Sequence, residues 1–370
     1  MSRRKKRKVK KIFKITIPSL IIIILLLINR NIIYKNYLYI TSDYNNQAIN
    51  TFLEEEIYKD IKNCEYSKTL EQIINTKYYD EKYLKEYLAI QYIEKDNYLE
   101  NISKLLDIGY NSNDINKIYS ILNDTSIELL INNNYIKDIV NIISISYFKE
   151  DNLERYIKYH TSSNLDNETI ITYVNIGLDK EYYTSVNKIK KQDDVLVLVN
   201  KYNVLDKTYI PSDLEDISTK YGSGKLRKEA KNAFEEMCNA ALKDNIKLYS
   251  GSAYRSYDYQ KNLYDRYVLQ DGKILADTYA ARAGYSEHQT GLAIDILNGN
   301  WNYISASDKE YTWLINNSYK YGYILRYPKG KEDITGYMYE EWHFRYLGKD
   351  IAKKVYELDI TYDEYVAKDF

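Results

Sequence analysis

Two short stretches concentrate residues that could hold a metal ion. In SEHQTGLAID, His288 is followed by Asp295, and in EEWHFRY, Glu340 stands shortly before His343. These are two of only 3 histidines in 370 residues. Two imidazoles and a carboxylate make a set of three protein ligands. Such a set leaves the fourth position of a tetrahedral zinc open to water or substrate, which is the catalytic arrangement. Nitrogen and oxygen donors suit Zn²⁺, and by type alone they also admit Mn²⁺ and Fe²⁺. Gly291 supplies a turn between the first two ligands, so His288 can end a helix or loop and Asp295 can sit on the strand that follows. A base must stand beside the water. If EWHFRY is a strand, residues three apart point to opposite faces. If both are to face the metal, Glu340 must therefore lie on a bend just before the strand, with Glu341 its neighbour and rival. Trp342 is a candidate wall for the cleft, and core packing is its other reading.

SAYRSYDYQ, SEHQTGLAID and EEWHFRYLG, in this order and spacing, resemble the VanY-type D-alanyl-D-alanine carboxypeptidases and their L,D-carboxypeptidase relatives, a family of zinc peptidases. NKYNVLDKTYIPSDL resembles the opening of the same domain, and the likeness runs from about Val195 to Leu358. The resemblance implies Zn²⁺ on His288, Asp295 and His343, with Glu340 as catalytic base. It implies that Arg255 pairs with the scissile carbonyl, that Gln260 shapes the pocket and that Ser286 contacts substrate. Without it, these last three read as surface residues. The family often has Pro between its glutamate and the Trp, where this chain has Glu341. Ser286 is also a candidate partner for the free carboxylate of a leaving D-alanine. The implied activity is removal of C-terminal D-alanine from peptidoglycan stem peptides, at a D,D or an L,D bond. An endopeptidase of the same zinc family and a non-catalytic wall-binding protein are the alternatives. Metal content separates the last from the other two.

The elements that must position these residues read as α+β, a small antiparallel sheet with helices against it. VLVLV from Val195 reads as a buried strand and YIPSDLEDI as a turn with a Ser/Asp helix start. Leu226, Ala230, Ala233, Phe234, Met237 and Ala241 then share one helix face. KLYSGSAYRS is a strand running into a loop, followed by a helix around Gln260–Tyr267. GLAIDIL and EWHFRY are strands. Helices are expected over Asp308–Lys320, with Trp313 and Leu314 inward, and over Ile351–Leu358. Upstream, residues 41–194 read as an all-α region of short helices with Asn/Asp-rich turns and no fixed period. There Gly109 is a C-cap and Asn113 or Asp114 an N-cap. The implied domains are 1–14, 15–34, 41–194, 195–358 and a C-terminal tail, 359–370.

Composition is that of a globular chain, with 45% hydrophobic and 28% charged residues. The 44 Tyr against 6 Phe fit an A+T-rich coding bias better than a function. Net charge is −1, yet Arg3, Arg4, Lys5, Lys6, Arg7, Lys8, Lys10, Lys11 and Lys14 crowd the start with no acid among them. ITIPSLIIIILLLI follows from Ile15 to Ile28 without a charge. It falls short of the roughly 20 residues of a spanning helix. Ile12, Phe13, Ile32, Ile33 and Tyr34 can lengthen it, and Lys14 and Arg30 can snorkel. Asn29-Arg30-Asn31 is no small-residue cleavage site, which favours an uncleaved anchor over 15–34 against a signal peptide. The basic flank places the N-terminus in the cytoplasm and the body outside. The partners are then the membrane, through this helix, and a peptidoglycan stem peptide, with no nucleic acid. Cys64 and Cys238 allow no disulfide framework or cysteine zinc site, and read as unpaired core residues. His160 reads as a surface or structural histidine.

Overall fold

The computed structural model describes residues 19–25, 30 and 32–369. The basic tail 1–14 lies outside the described residues, as does part of the expected anchor, 15–34. Among the described residues, no helix is long and apolar enough to cross a membrane. Contacts divide the chain into two compact units, Met1–Ile145 and Ser146–Phe370.

The first unit is a run of short helices, from Asn46–Glu54 to Ile139–Ile143. Helix Tyr98–Ile108 buries Ile102, Leu105 and Leu106 and ends on Gly109, whose φ of 118° suits glycine. The next helix, Ser112–Ile121, is capped by Asn111 rather than Asn113 or Asp114. Asp114 instead completes a capping box with Asn111. Tyrosine hydroxyls serve as long-reach caps. The Asp80 N–H donates to the Tyr87 hydroxyl (3.3 Å) at the start of a 3₁₀ turn. In the second unit the Lys149 N–H does the same to Tyr156 (3.2 Å). The tyrosine excess thus has some structural use. Cys64 is exposed, not in a core, while Cys238 is buried, and both are free.

The second unit is α+β. Its sheet has strands β1 (Tyr249–Ser252), β2 (Ala293–Leu297), β3 (Tyr323–Leu325) and β4 (His343–Tyr346) in the order β1-β2-β4-β3, every pair antiparallel. Helix Lys228–Lys243 lays Ala230, Phe234, Met237 and Ala241 into one core with Ile294, Ile296 and Phe344. Alternation along a strand then turns Asp295, His343 and Arg345 to the opposite face. Leu314 is buried, whereas Trp313 packs partly exposed with its indole N–H on Asp244 (2.7 Å). His160 lies half-buried in helix Leu153–Ser162.

Two expectations are corrected. VLVLV supplies Val197 and Val199 to the core but is no strand. The Val195 and Val197 carbonyls accept from Arg345 Nη2 (2.9 and 2.8 Å), so a side chain replaces the ladder. YIPSDLEDI starts no helix. Leu214–Asp216 pairs antiparallel with Lys225–Arg227, a 3₁₀ turn at Thr219–Tyr221 lies between them, and the helix begins only at Lys228. The second unit also extends beyond 195–358 at both ends. Helices Leu153–Ser162 and Asn167–Ile176 belong to it, and the expected tail contains helix Tyr362–Ala367, capped by Thr361 and Glu364. Asn175 Nδ2 donates to the carbonyls of both Tyr147 and Ala367 (3.0 Å each), joining the two ends of the unit.

The last helix also enters a buried charge cluster. Glu287 Oε1 accepts from Arg326 Nε (2.8 Å) and Arg345 Nη1 (2.9 Å). Arg326 Nη1 donates to Asp363 Oδ2 (2.6 Å), whose other oxygen accepts from Asn200 (2.8 Å). Both arginines are 0% exposed. Removing one partner of a buried pair leaves an uncompensated charge and costs about 3–5 kcal/mol. Asp363→Ala should therefore destabilise the second unit by that order in denaturant unfolding. Tryptophan fluorescence reads this unit alone, since Trp301, Trp313 and Trp342 all lie in it. An unchanged midpoint would show that the last helix is not part of the domain.

Candidate active site

The sheet register builds the site. Asp295 on β2 is the cross-strand partner of His343 on β4, with Ser252 of β1 on its other side. His288 arrives from the 3₁₀ turn Glu287–Thr290 just before β2. Gly291 closes that turn with φ +67°, and a Cβ there would press on Leu214 Cδ2 (2.8 Å) and the Arg227 nitrogen (3.3 Å). Only glycine meets both demands.

One ligand atom from each of His288, Asp295 and His343 lies within 4.8 Å of the others, and all three residues are buried. Asp295 Oδ1 is 3.3 Å from His288 Nε2 and 3.1 Å from His343 Nδ1. His288 Nδ1 donates to the Ala253 carbonyl at 2.6 Å, which leaves Nε2 bare toward Asp295. The rings stand edge to face, centroids 4.9 Å apart. Two imidazole nitrogens and a carboxylate oxygen converging at one buried point are a donor set that fits zinc.

Arg255 is not a free surface arginine. Its Nη2 donates to Asp295 Oδ2 (2.5 Å) and its Nε to Ser252 Oγ (2.9 Å). Glu340 lies on a turn before β4: its N–H donates to the Tyr327 carbonyl (3.1 Å), and its own carbonyl accepts from the His343 N–H (3.4 Å). Its Oε2 is 3.7 Å from His343 Nδ1. A cleft of about 320 Å³ opens on this cluster, lined among others by Arg255, Gln260, Ser286, Glu340 and Trp342 but not by Glu341. Gln260 donates to the Ala281 carbonyl (2.8 Å), while its buried Oε1 has no partner among the described residues. Ser286 is buried at the start of the turn that carries His288, and Trp342 leans on Tyr303 with centroids 5.9 Å apart. All the site residues expected from sequence thus come to one cleft.

Electrostatics divides the carboxyls. Burial pushes Glu340 up to about 7, with Asp295 adding to the rise. Burial would raise Asp295 too, but the imidazole of His288 leads the groups, Arg255 among them, that hold it well below the carboxylate range. Burial and then Arg255 lower His288 to about 4. Burial opposes charge on His343 as well, yet the carboxylates of Asp295, Glu287 and Glu340 carry it up to about 9.

Sequence reasoning missed the layer behind the ligands. Glu287, Arg326, Arg345 and Asp363 form it, and only the adjacency of Glu287 to His288 hinted at any part. It also missed the tyrosines of the cleft, among them Tyr267, Tyr279, Tyr303 and Tyr327.

Comparison with known proteins gives this site a context. The family model for VanY, D-alanyl-D-alanine carboxypeptidase, matches residues 223–349. A Bacillus subtilis protein named "Putative carboxypeptidase YodJ" is 42% identical over 212 residues, which are 52% of this chain and 76% of that protein. An Enterococcus faecalis D-alanyl-D-alanine carboxypeptidase is 33% identical over 186 residues, 48% of this chain and 67% of its own. Among solved structures, the LdcB LD-carboxypeptidase matches with 40% identity and a TM-score of 0.48, covering 51% of this chain and 92% of that one. On the extent of its match to the first two relatives, this chain belongs to the VanY-type D-alanyl-D-alanine carboxypeptidase family.

Proposed function

We propose that this chain is a zinc carboxypeptidase that removes C-terminal D-alanine from peptidoglycan stem peptides outside the cell. One observation carries the reading: His288, Asp295 and His343 converge at the floor of a cleft that also holds Glu340 and Arg255. The names of the related proteins support the substrate class.

When bound, zinc supplies a Lewis acid and lowers the pKa of water. His288 Nε2, Asp295 and His343 Nδ1 would hold it. Glu340, its carboxyl raised to about 7 by burial, takes a proton from the attacking water and returns it to the leaving amine. Arg255, oriented by Ser252 and Asp295, meets the negative charge that grows on the scissile carbonyl oxygen. Gln260 Oε1 offers an acceptor to the substrate backbone, Ser286 receives the terminal carboxylate, and Trp342 walls the cleft.

The N-terminal segment tethers the enzyme. Nine basic residues before an uncharged stretch from Ile15 to Ile28 support a single-pass anchor with a cytoplasmic N-terminus. That topology puts the cleft on the side where the wall peptide lies.

Incubating the full chain with defined pentapeptide and tetrapeptide stems, and weighing the products, tests the activity. Loss of one alanine is expected, and internal cleavage would make it an endopeptidase. Glu340→Gln should lower kcat by about 10²–10⁴ with KM little changed. Glu341→Gln should leave turnover near normal, and the reverse pattern would move the base by one residue.

Elemental analysis should find one zinc per wild-type chain and none in His343→Ala. Full zinc in that variant would overturn the ligand set.

Protease added to wall-stripped cells should digest the body. Protection until lysis would reverse the topology, and a released form beginning after residue 30 would reveal a signal peptide.

A further inference from the structure

Asp295 and Glu340 both approach His343 at Nδ1. Its other nitrogen, Nε2, faces Glu287, with Oε2 at 3.5 Å. Both of these atoms are buried, and among the described residues neither has a hydrogen-bond partner of ordinary geometry. At 3.5 Å the pair stands at the outer limit of a hydrogen bond. Glu287 has no other use for this oxygen, because Oε1 already takes Arg326 and Arg345. The carboxylate is held from behind by two fully buried guanidiniums, one of them fixed in turn by Asp363. Tyr327 leans on the imidazole, centroids 5.0 Å apart, which limits rotation of the ring.

We infer that Glu287 is a positioning residue for the metal site: it accepts the Nε2 proton of His343 and so fixes the tautomer that leaves Nδ1 bare for the metal. This rests on the reading of His343 as a ligand. A metal-bound histidine almost always gives its second ring N–H to a carboxylate, carbonyl or water. His288 uses the Ala253 carbonyl for this purpose and His343 uses Glu287. The support reaches outside the stretch that matches the family model, since Asp363 lies beyond residue 349. The last helix therefore braces Arg326, one step removed from the ring.

Glu287→Gln makes the assignment testable. The amide oxygen can still face the two arginines, which turns its NH₂ toward His343. A donor there favours a bare Nε2 and a protonated Nδ1, the tautomer that cannot ligate. Zinc affinity, measured by competition with a chelator, should fall about 10–100-fold. Asp363→Asn, which does not touch the ring, should lower stability but keep the tautomer.

The wild type gives a readout that needs no variant to fold. Its histidines number only 3, so ¹⁵N-histidine labelling of the zinc-loaded full chain gives a sparse NMR spectrum of the rings. His343 should show a protonated Nε2 and a metal-bound Nδ1. A metal-bound or proton-free Nε2 would overturn the role of Glu287 alone. A folded Glu287→Gln variant that holds zinc within threefold of wild type would do the same. Wild-type protein that binds no zinc would remove the ligand reading and this inference together.

Discussion

Everything in the second unit depends on the register that sets Asp295 opposite His343. Side chains alternate along a strand, so a slip of one residue would exchange the two faces of β2 or β4. Ile294, Ile296 and Phe344 would leave the core, and the two ligands would turn into it. The same hydrophobic face that pays for folding therefore fixes the position of the chemistry. The helix Lys228–Lys243 has no contact role in the cleft, yet by covering one side of the sheet it decides which side carries the polar residues.

The second constraint is charge. Three carboxyls are buried within reach of His343, and their surroundings differ in one respect. Asp295 is backed by Arg255, and Glu287 by Arg326 and Arg345. Among the described residues, Glu340 has no arginine or lysine in ion-pair contact, and its charged neighbour is His343 itself. Burial therefore dominates at Glu340 and attraction dominates at the other two. Three similar side chains thus sit in three different fields, which suits the ligand, support and proton-carrier roles proposed for them. The separation follows from where the guanidiniums sit.

The residues proposed as ligands and base were legible because each lies in a compact stretch whose spacing has chemical meaning. The bend at Glu340 followed from strand periodicity together with the demand that Glu340 and His343 face one metal. The supporting layer was not legible, because Glu287, Arg326, Arg345 and Asp363 come from four separate places along the chain. A charged residue read in isolation belongs at the surface. VLVLV shows the same blind spot from the other side. Its hydrophobic run announces burial correctly, but whether its carbonyls meet a strand or the guanidinium of Arg345 depends on a residue far away. Helical periodicity says that a helix exists, not which unit it packs with, and the compact unit reaches upstream of 195. The segment after Leu358 looked like a tail because its helix is short, yet Tyr362, Asp363 and Tyr365 are all buried.

Asn175 holds the carbonyls of Tyr147 and Ala367 with one amide group. The unit is thus a closed circuit of chain whose first and last turns share a fastening. The fastening is local to the two ends: fraying at either one must release a bond to this amide, whereas the strands that carry Asp295 and His343 lie between those ends along the chain and keep their own ladder.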